Sequence, residues 1–472
     1  MAKKKNNKKI NISLIILTIL DILLLLLLVF NITRLDVLPI RYVIKCVIVV
    51  FLVHVIIYLM GLLKYKACKV ISYILIVLTM LVYGAGIFYT GKTINFLRKT
   101  FNQANNSYTN SYLLLSINNY DEVHDFIGKD IAYYSKIPHI DKALEKLNSM
   151  IEYNKKSVDV INTLFSEDNV LIEKNIYETL KDTITEIDFG KYKNVYEFEI
   201  VIDEEVGNNQ IKDVVTIYIG GFDFTDACND FNMLVTINRN THKILLTSIP
   251  RDYYFHFDEI DQDELLDYTL KWGVNVPIDG LSKLFNVDID YYMTVNTKSI
   301  VELVDALPGG TATFCADSAF TTTHATILDT YDDSKGKKLR VQKGCHEYTG
   351  IEILTIARER LAFSGGDRQR QKNCQQILIN ILNKLKSFDS VKNYTELLDK
   401  MSDLYTTNIP DKLITSVAKD FIDGNKYNIE QQSADGYSSA GWMHLHTYYG
   451  GVMRPYKDSV EKVSNKIKEY YN

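Results

Sequence analysis

The chain has 472 residues, too many for one ordinary domain, and 47% of them are apolar, enough for sizeable cores. Its formal charge of −5 is unevenly spread: residues 1 to 90 hold eleven Lys and Arg against Asp21 and Asp36 alone, so that stretch carries +9 and the remainder −14. An acidic main body argues against a nucleic-acid role.

Three apolar runs come first, NISLIILTILDILLLLLLVF, YVIKCVIVVFLVHVIIYLMGLL and VISYILIVLTMLVYGAGIFY. Each is close to the roughly 20 residues that a helix needs to cross a bilayer. The first is too long for a signal peptide, lacks a small-residue cleavage site and is followed by two more spans. Residues 1–91 therefore read as a cytoplasmic basic tail and a three-helix membrane anchor. Lys3, Lys4, Lys5, Lys8 and Lys9 precede the first span, and Lys64, Lys66 and Lys69 lie between the second and third. The positive-inside rule makes those segments cytoplasmic and places everything after about residue 91 outside the cell. Asp21, inside the first span, reads as a carboxylate facing a neighbouring helix, the alternative being an intramembrane functional group.

Residues 92–111 read as a polar stalk. Over 112–205 the strand-like YLLLSI and DIAYYS alternate with helical patterns, which predicts a small α/β accessory domain without a chemical constellation. Four cysteines, Cys228, Cys315, Cys345 and Cys374, fall in the outer portion, where at least one disulfide is expected. Four thiols allow three connectivities, between which the sequence does not choose; Cys315 with Cys345 is the pairing we favour.

Residues 211–388 mix short β-rich runs (VVTIYIGGFD, DFNMLVTI, KILLTSI, YYMTVN) with helical ones (SIVELVDAL, GIEILTIARER, CQQILINILNKLKSF). An α/β domain with a central sheet flanked by helices is expected, followed by a helical extension over 389–472. NMLVTI and KILLTSI, joined by the polar NRNTH, form a hairpin centred near Asn240. Asp230 and Arg251 are each about ten residues from that centre and so face each other at its open end. The glycines of Gly220-Gly221-Phe222-Asp223 are expected to permit a tight turn that brings a second carboxylate near Asp230.

Downstream, ARERLAFSGGDRQRQKN closes one helix with Arg358 and Arg360 and opens another with Asp367 and Arg370. Positions 367 and 370 share a helix face, whereas 358 and 360 converge only if the helix frays between them. The plainer interpretation is that Asp367 caps the helix and the arginines are solvated. Arginines offer paired donors to phosphate oxygens, and aspartates suit Mg²⁺. Together with the hairpin, these groups fit a pyrophosphate site.

The ordered set GGFD, NDFN, SIPRDYY, NVDIDYYMTVN, LVDALPGG and ARERLAFSGGDRQRQKN resembles the LytR-CpsA-Psr proteins over about residues 215 to 388. The three-span anchor and accessory domain resemble the Gram-positive members. The resemblance implies an extracytoplasmic α/β catalytic domain on a multi-pass cell-membrane anchor. It implies a Mg²⁺-dependent phosphotransferase, with Mn²⁺ as the alternative ion, that moves a teichoic-acid or capsular glycopolymer from undecaprenyl pyrophosphate to peptidoglycan. By similarity, Arg251, Arg358, Arg360 and Arg370 bind the pyrophosphate, and Asp223 and Asp230 hold the metal. Asp367 orients an arginine or assists proton transfer, and Asp252 steadies Arg251, the alternative being a direct catalytic role; Arg251, Asp252, Arg360 and Asp367 are the catalytic candidates. Three departures bear on substrate choice: Asn373-Cys374 stands where relatives have Asn-Gln, LLDYT (265–269) replaces a segment carrying a basic group, and Asn229 replaces a serine. A prenyl-pyrophosphate hydrolase and a non-catalytic wall-polymer-binding protein are the rival expectations.

Overall fold

The computed structural model describes residues 12–101, 107–183, 187–203, 212–222, 229–325, 337–386, 405–445 and 448–472. The chain divides into two compact units, residues 1–102 with 410–426, and residues 103–409 with 427–472.

In the first unit, helices α1 (Ile12–Leu35), α2 (Ile40–Leu62) and α3 (Lys66–Phe101) are each long and apolar enough to cross a membrane. Most of their large apolar side chains point outward, as lipid-facing residues do. The inward contacts use small residues. A Cβ on Gly61 would lie 2.6 Å from Leu14, and Ser72 donates to the Ile57 carbonyl. Asp21 is fully buried against α2 and α3, where His54 Nε2 lies 2.8 Å from its Oδ2 and Thr79 donates to it at 3.0 Å. Helix Asp411–Ile422 joins this unit at the α1–α2 connection through the ion pairs Lys419–Asp36 and Arg41–Asp423, both 2.7 Å.

Where the sequence predicts a stalk from residue 92, α3 instead runs on to Phe101. The Thr90 and Thr93 hydroxyls bond back to carbonyls of the preceding turn, which keeps polar residues compatible with a helix.

The second unit contains two large sheets. In the first, β1 (Ser107–Ser116), β2 (Asp130–Tyr134), β3 (Asn154–Val158), β4 (Asn169–Glu173) and β5 (Lys193–Asp203) lie in the order β3-β2-β4-β1-β5. Helices Ile140–Asn148 and Lys174–Thr183 bury apolar faces in the same unit. The second sheet begins with β6 (Val214–Phe222), β7 (Asn229–Asn238) and β8 (Lys243–Ile249), a meander that continues into the small hairpin of β9 (Tyr254–Phe257) and β10 (Gln262–Leu265). β11 (Tyr291–Asn296) pairs parallel to β6. One apolar core runs through both sheets, from Leu114 and Val170 to Tyr218 and Trp272.

A second core, around Phe314, Ile353 and Ile377, lies beneath β12 (Thr311–Ala316), β13 (Phe320–Ala325), β14 (Lys338–Val341) and β15 (Gly344–Thr349). Cys315 and Cys345 stand opposite each other on β12 and β15 and are joined as a disulfide. Cys374 is a free thiol, and Cys228 lies outside the described residues.

The expectation of a helical extension after residue 388 needs correction. Besides helices Asp411–Ile422 and Lys457–Glu469, this region supplies β16 (Tyr405–Thr407) and β17 (Asn428–Ser433), the two edge strands in the order β16-β11-β6-β7-β8-β17. It also supplies the hairpin of β18 (Gly436–Met443) and β19 (Tyr448–Pro455). Edge strands pack on one side only, and NIEQQS in β17 alternates weakly between half-buried and exposed, so no apolar period announces it.

Candidate functional site

The hairpin register delivers the first pair. Asn232 stands opposite Ile249, and two residues further toward the open end Asp230 stands opposite Arg251, whose Nη1 is in close ion-pair contact with Asp230 Oδ1. The tight Arg239–His242 connection supports that register: Thr241 N donates to Asn238 Oδ1, and His242 takes the left-handed conformation.

Gly220 and Gly221 do not form the expected turn. Both lie within β6, where a Cβ on Gly220 would sit 2.9 Å from Leu270 and one on Gly221 would sit 2.9 Å from Phe231. Close packing, not turn geometry, excludes a side chain there. The ladder slips between Gly221 and Phe222, and buried Asn229 braces the bulge by accepting from Gly221 N and donating to Tyr218 Oη and Asn232 Oδ1. Such a bulge re-aims the strand end that carries Asp230. Asp223, the other predicted ligand, lies outside the described residues.

The second limb is the start of helix Asp367–Lys386. Asp367 is its first residue, following Gly366 in the left-handed conformation. Its Oδ1 accepts from Arg370 Nε at 2.6 Å and its Oδ2 from Gln371 Nε2 at 2.9 Å. One turn on, Gln375 donates to Ser248 Oγ at 2.8 Å and fastens this helix to the strand that carries Arg251. The two limbs also feel each other electrostatically: Asp230 and Arg251 act on Arg370, and Arg251 acts on Asp367. Burial would raise the Asp367 carboxyl, but Arg370 beside it holds it below the ordinary value.

Helix Gly350–Arg358 ends where convergence of Arg358 and Arg360 requires it to, with Glu359 extended. Buried Glu359 accepts from Thr323 and from Ala362 N, while Arg358 and Arg360 remain partly exposed. Arg360 makes no side-chain ion pair among the described residues. Among the described residues, no ion pair joins Arg360 to the Asp230–Arg251 pair.

Sequence reasoning missed Asp267. It sits in LLDYT, which draws notice as the loss of a basic group, yet it is the carboxylate there that reaches the site. β9 and β10 pair Leu265 with Tyr254, and continuing that hairpin brings Asp267 N to the Arg251 carbonyl at 2.9 Å. Its Oδ2 lies 3.8 Å from Arg251 Nη1. Burial pushes the Asp267 carboxyl up to about 7, against the opposing pull of Arg251. The signal was available in the Glu259–Asp261 reversal, whose hairpin register aligns 267 with 251 and 252. Asp252 Oδ1 lies 3.5 Å from Arg251 Nε, too far for a hydrogen bond.

Of the eight buried side-chain polar atoms left without a hydrogen-bond partner among the described residues, four, Arg251 Nε, Asp267 Oδ1, Gln371 Oε1 and Asn373 Nδ2, lie in the Arg251 cluster or on the first turns of the Asp367 helix; the other four are on Arg239, Gln262, Trp272 and Asp279. Unpaired buried polar atoms are costly, and the four at this site face the Arg251–Asp367 region with bonding capacity left over. Asp230, Asp252 and Asp267 are hard oxygen donors, which suit Mg²⁺ chemically. No group of three or more His, Cys, Asp or Glu side chains arranged for a metal ion occurs among the described residues. Burial drives the nearby Cys374 thiol up to about 11, so it stays protonated and unreactive.

The family model described as LytR_cpsA_psr matches residues 170–469. Among curated relatives, a polyisoprenyl-teichoic acid–peptidoglycan teichoic acid transferase, TagT of Bacillus subtilis, is 29% identical over 183 residues, 39% of this chain and 54% of the relative. Biofilm regulatory protein A of Streptococcus mutans is 27% identical over 188 residues, 38% of this chain and 44% of the relative. The chain thus spans about half the length of the curated relatives it matches. A solved structure of protein gbs0355 from Streptococcus agalactiae is 23% identical with a TM-score of 0.45, covering 54% of this chain and 87% of that one. With the family match extending over more than half of its length, this chain belongs to the LytR_cpsA_psr family.

Proposed function

We propose that this protein transfers an anionic glycopolymer, of teichoic-acid or capsular type, from undecaprenyl pyrophosphate to peptidoglycan. The observation that carries the reading is the cluster of buried Asp267 with half-buried Arg251 and Asp230, with unpartnered atoms on Arg251 and Asp267, fastened to Asp367 and Arg370 through Gln375 and Ser248. Phosphoryl transfer asks a protein mainly to position its reactants and to neutralise developing charge, and paired arginines do both. The relative TagT is named as a polyisoprenyl-teichoic acid–peptidoglycan teichoic acid transferase, which supports the reading.

In this reading Arg251 and Arg370 grip the pyrophosphate, with Arg358 and Arg360 closing on it from the end of their helix. Asp367 orients Arg370, and Asp252 steadies Arg251. Mg²⁺, or Mn²⁺ in its place, would be held by Asp230 with Asp223 and would supply positive charge against the bridging oxygens. The membrane anchor keeps the site close to a lipid-borne donor.

The basic segments before α1 and between α2 and α3 support a cytoplasmic N-terminus and an extracellular catalytic portion. The ion pairs Lys419–Asp36 and Arg41–Asp423 support it independently, because they hold a helix from the C-terminal third of the chain at the α1–α2 connection. In intact cells, a membrane-impermeant thiol reagent should label Ser107→Cys and not Asn6→Cys; the reverse pattern would overturn the orientation.

The deciding experiment incubates the full-length protein in detergent with a lipid-pyrophosphate-linked glycan, Mg²⁺ and peptidoglycan. Glycan attached to peptidoglycan, lost on chelation, is expected. Release of glycan phosphate into water would instead make the protein a hydrolase, and an unchanged donor would make it a non-catalytic binder.

A further inference from the structure

The β18–β19 hairpin sorts its side chains into two faces. Gly441, Met443 and Val452 turn inward; a Cβ on Gly441 would lie 2.8 Å from the Tyr254 ring. Outward on β18 stand Ser438, Ala440 and Trp442; opposite them on β19 stand exposed Gly451 and Tyr449 and, nearer the base, Met453, which is half-buried against the core. Trp442 and Tyr449 form a direct cross-strand pair, 43% and 67% exposed. The neighbouring pair is Ala440–Gly451, and a Cβ on Gly451 would meet nothing within 4 Å. A solvated sheet face is ordinarily polar, but this one has no charge and a single hydroxyl from Ser438 besides the tyrosine. It presents two aromatic rings beside a small, open floor.

The base of that hairpin is bonded to the site, and the aromatic pair stands toward its other end. Met453 N donates to the Asp252 carbonyl at 2.8 Å, next to Arg251. At the hairpin's other strand Tyr253 Oη donates to the Asp435 carbonyl at 2.7 Å, and Arg368, beside Asp367, forms an ion pair with the Asp435 side chain. Both limbs of the site are thus bonded to the base of the hairpin.

We propose that the outer face of this hairpin is a carbohydrate subsite, on which pyranose rings of the glycan substrate stack their C–H faces against Trp442 and Tyr449. The proposal rests on the transfer reaction above and names where its polymer runs. An aromatic ring has a negative face, which attracts the weakly positive C–H face of a sugar, and the Ala440–Gly451 floor leaves room for a ring to lie flat. Tyr449 Oη and Ser438 Oγ offer hydrogen bonds to ring hydroxyls. A bilayer is the less fitting occupant, because interfacial surfaces add Lys or Arg to their aromatics and these six residues include none.

The chain has only two tryptophans, and Trp272 is buried, so quenching of the exposed fluorescence reports on Trp442 alone. Full-length protein in detergent should have Trp442 shielded from acrylamide by glucose or N-acetylglucosamine oligosaccharides. Trp442→Phe should retain oligosaccharide binding by calorimetry, and Tyr449→Ala should weaken it by about tenfold. With a long-glycan donor, Trp442→Ala with Tyr449→Ala should raise KM by about tenfold and leave kcat nearly unchanged. No shielding by either sugar series, or quenching of Trp442 by brominated lipid in nanodiscs instead, would overturn the subsite. Inactivity of the unaltered protein on every donor would sink the transfer reading, while the binding measurements would still decide the subsite.

Discussion

Two buried carboxylates in this protein have opposite surroundings. Asp21 in the membrane unit is enclosed: Thr79 donates to both of its oxygens, His54 Nε2 approaches Oδ2 at 2.8 Å, His54 Nδ1 bonds to the Val50 carbonyl, and Tyr83 Oη closes the set at 3.2 Å from Nε2. Asp267 is equally buried, but one oxygen has no partner, and the arginine it faces keeps an unpaired Nε. A satisfied network holds helices together; an unsatisfied one is kept at a cost in stability.

The largest effects should come from the open cluster. Arg251→Ala and Asp230→Asn should each lose transfer by roughly a hundred- to a thousandfold, about 3 to 4 kcal/mol in the barrier, with little change in Tm. The double variant should be hardly worse than either single, because the two groups act as a unit. Rate losses that multiply would show that they act separately and would weaken the contrast with Asp21.

Next is the closed cluster. Asp21→Leu should cost the membrane unit about 1 to 2 kcal/mol, read as unfolding in mixed micelles, and leave transfer per folded molecule unchanged. If Asp21→Leu stopped transfer while the unit stayed folded, the intramembrane network would have a chemical role and the contrast would fail.

Smaller is the pH dependence. Burial holds the Asp267 and Glu264 carboxyls at about 7 in the folded chain, above the unfolded value of about 4. Between those values the folded state binds the extra protons, so stability from these groups should fall as pH rises from about 4 to 7. Asp267→Asn should remove part of that slope in Tm, and Glu264 should account for the remainder. A slope unaffected by the change would mean that Asp267 is ionised throughout.

The smallest effect concerns Lys419. Its ion pair with Asp36 is solvent-exposed, so Lys419→Ala should cost less than about 0.5 kcal/mol in unfolding of the membrane unit. A loss several times larger would mean that this helix does more than rest on the α1–α2 connection.

Much of this arrangement was legible in the sequence. Three spans follow from apolar length, and Asp230 opposite Arg251 follows from a hairpin whose centre is visible, because an antiparallel register is counted from its turn. The Asp367–Arg370 pair follows from helix spacing, and the helix does stop between Arg358 and Arg360. All of these are local relations, carried by periods of two or 3.6 residues.

Other features needed the tertiary structure. Asp267 enters the site through a second hairpin that also had a readable turn, yet its importance comes from burial beside Arg251, which no local pattern records. Gly220 and Gly221 look like turn residues, but the rings and methyls of Tyr218, Leu270 and Phe231 decide that they are strand residues without room for a Cβ. The Gln375–Ser248 bond spans 127 positions, and β16 and β17 reach the central sheet from beyond the expected boundary. Sequence by itself determined which elements form and which of their residues share a face. Folding alone decided which distant faces exclude water together, and it is that exclusion that leaves Arg251 Nε and Asp267 Oδ1 buried and unpaired.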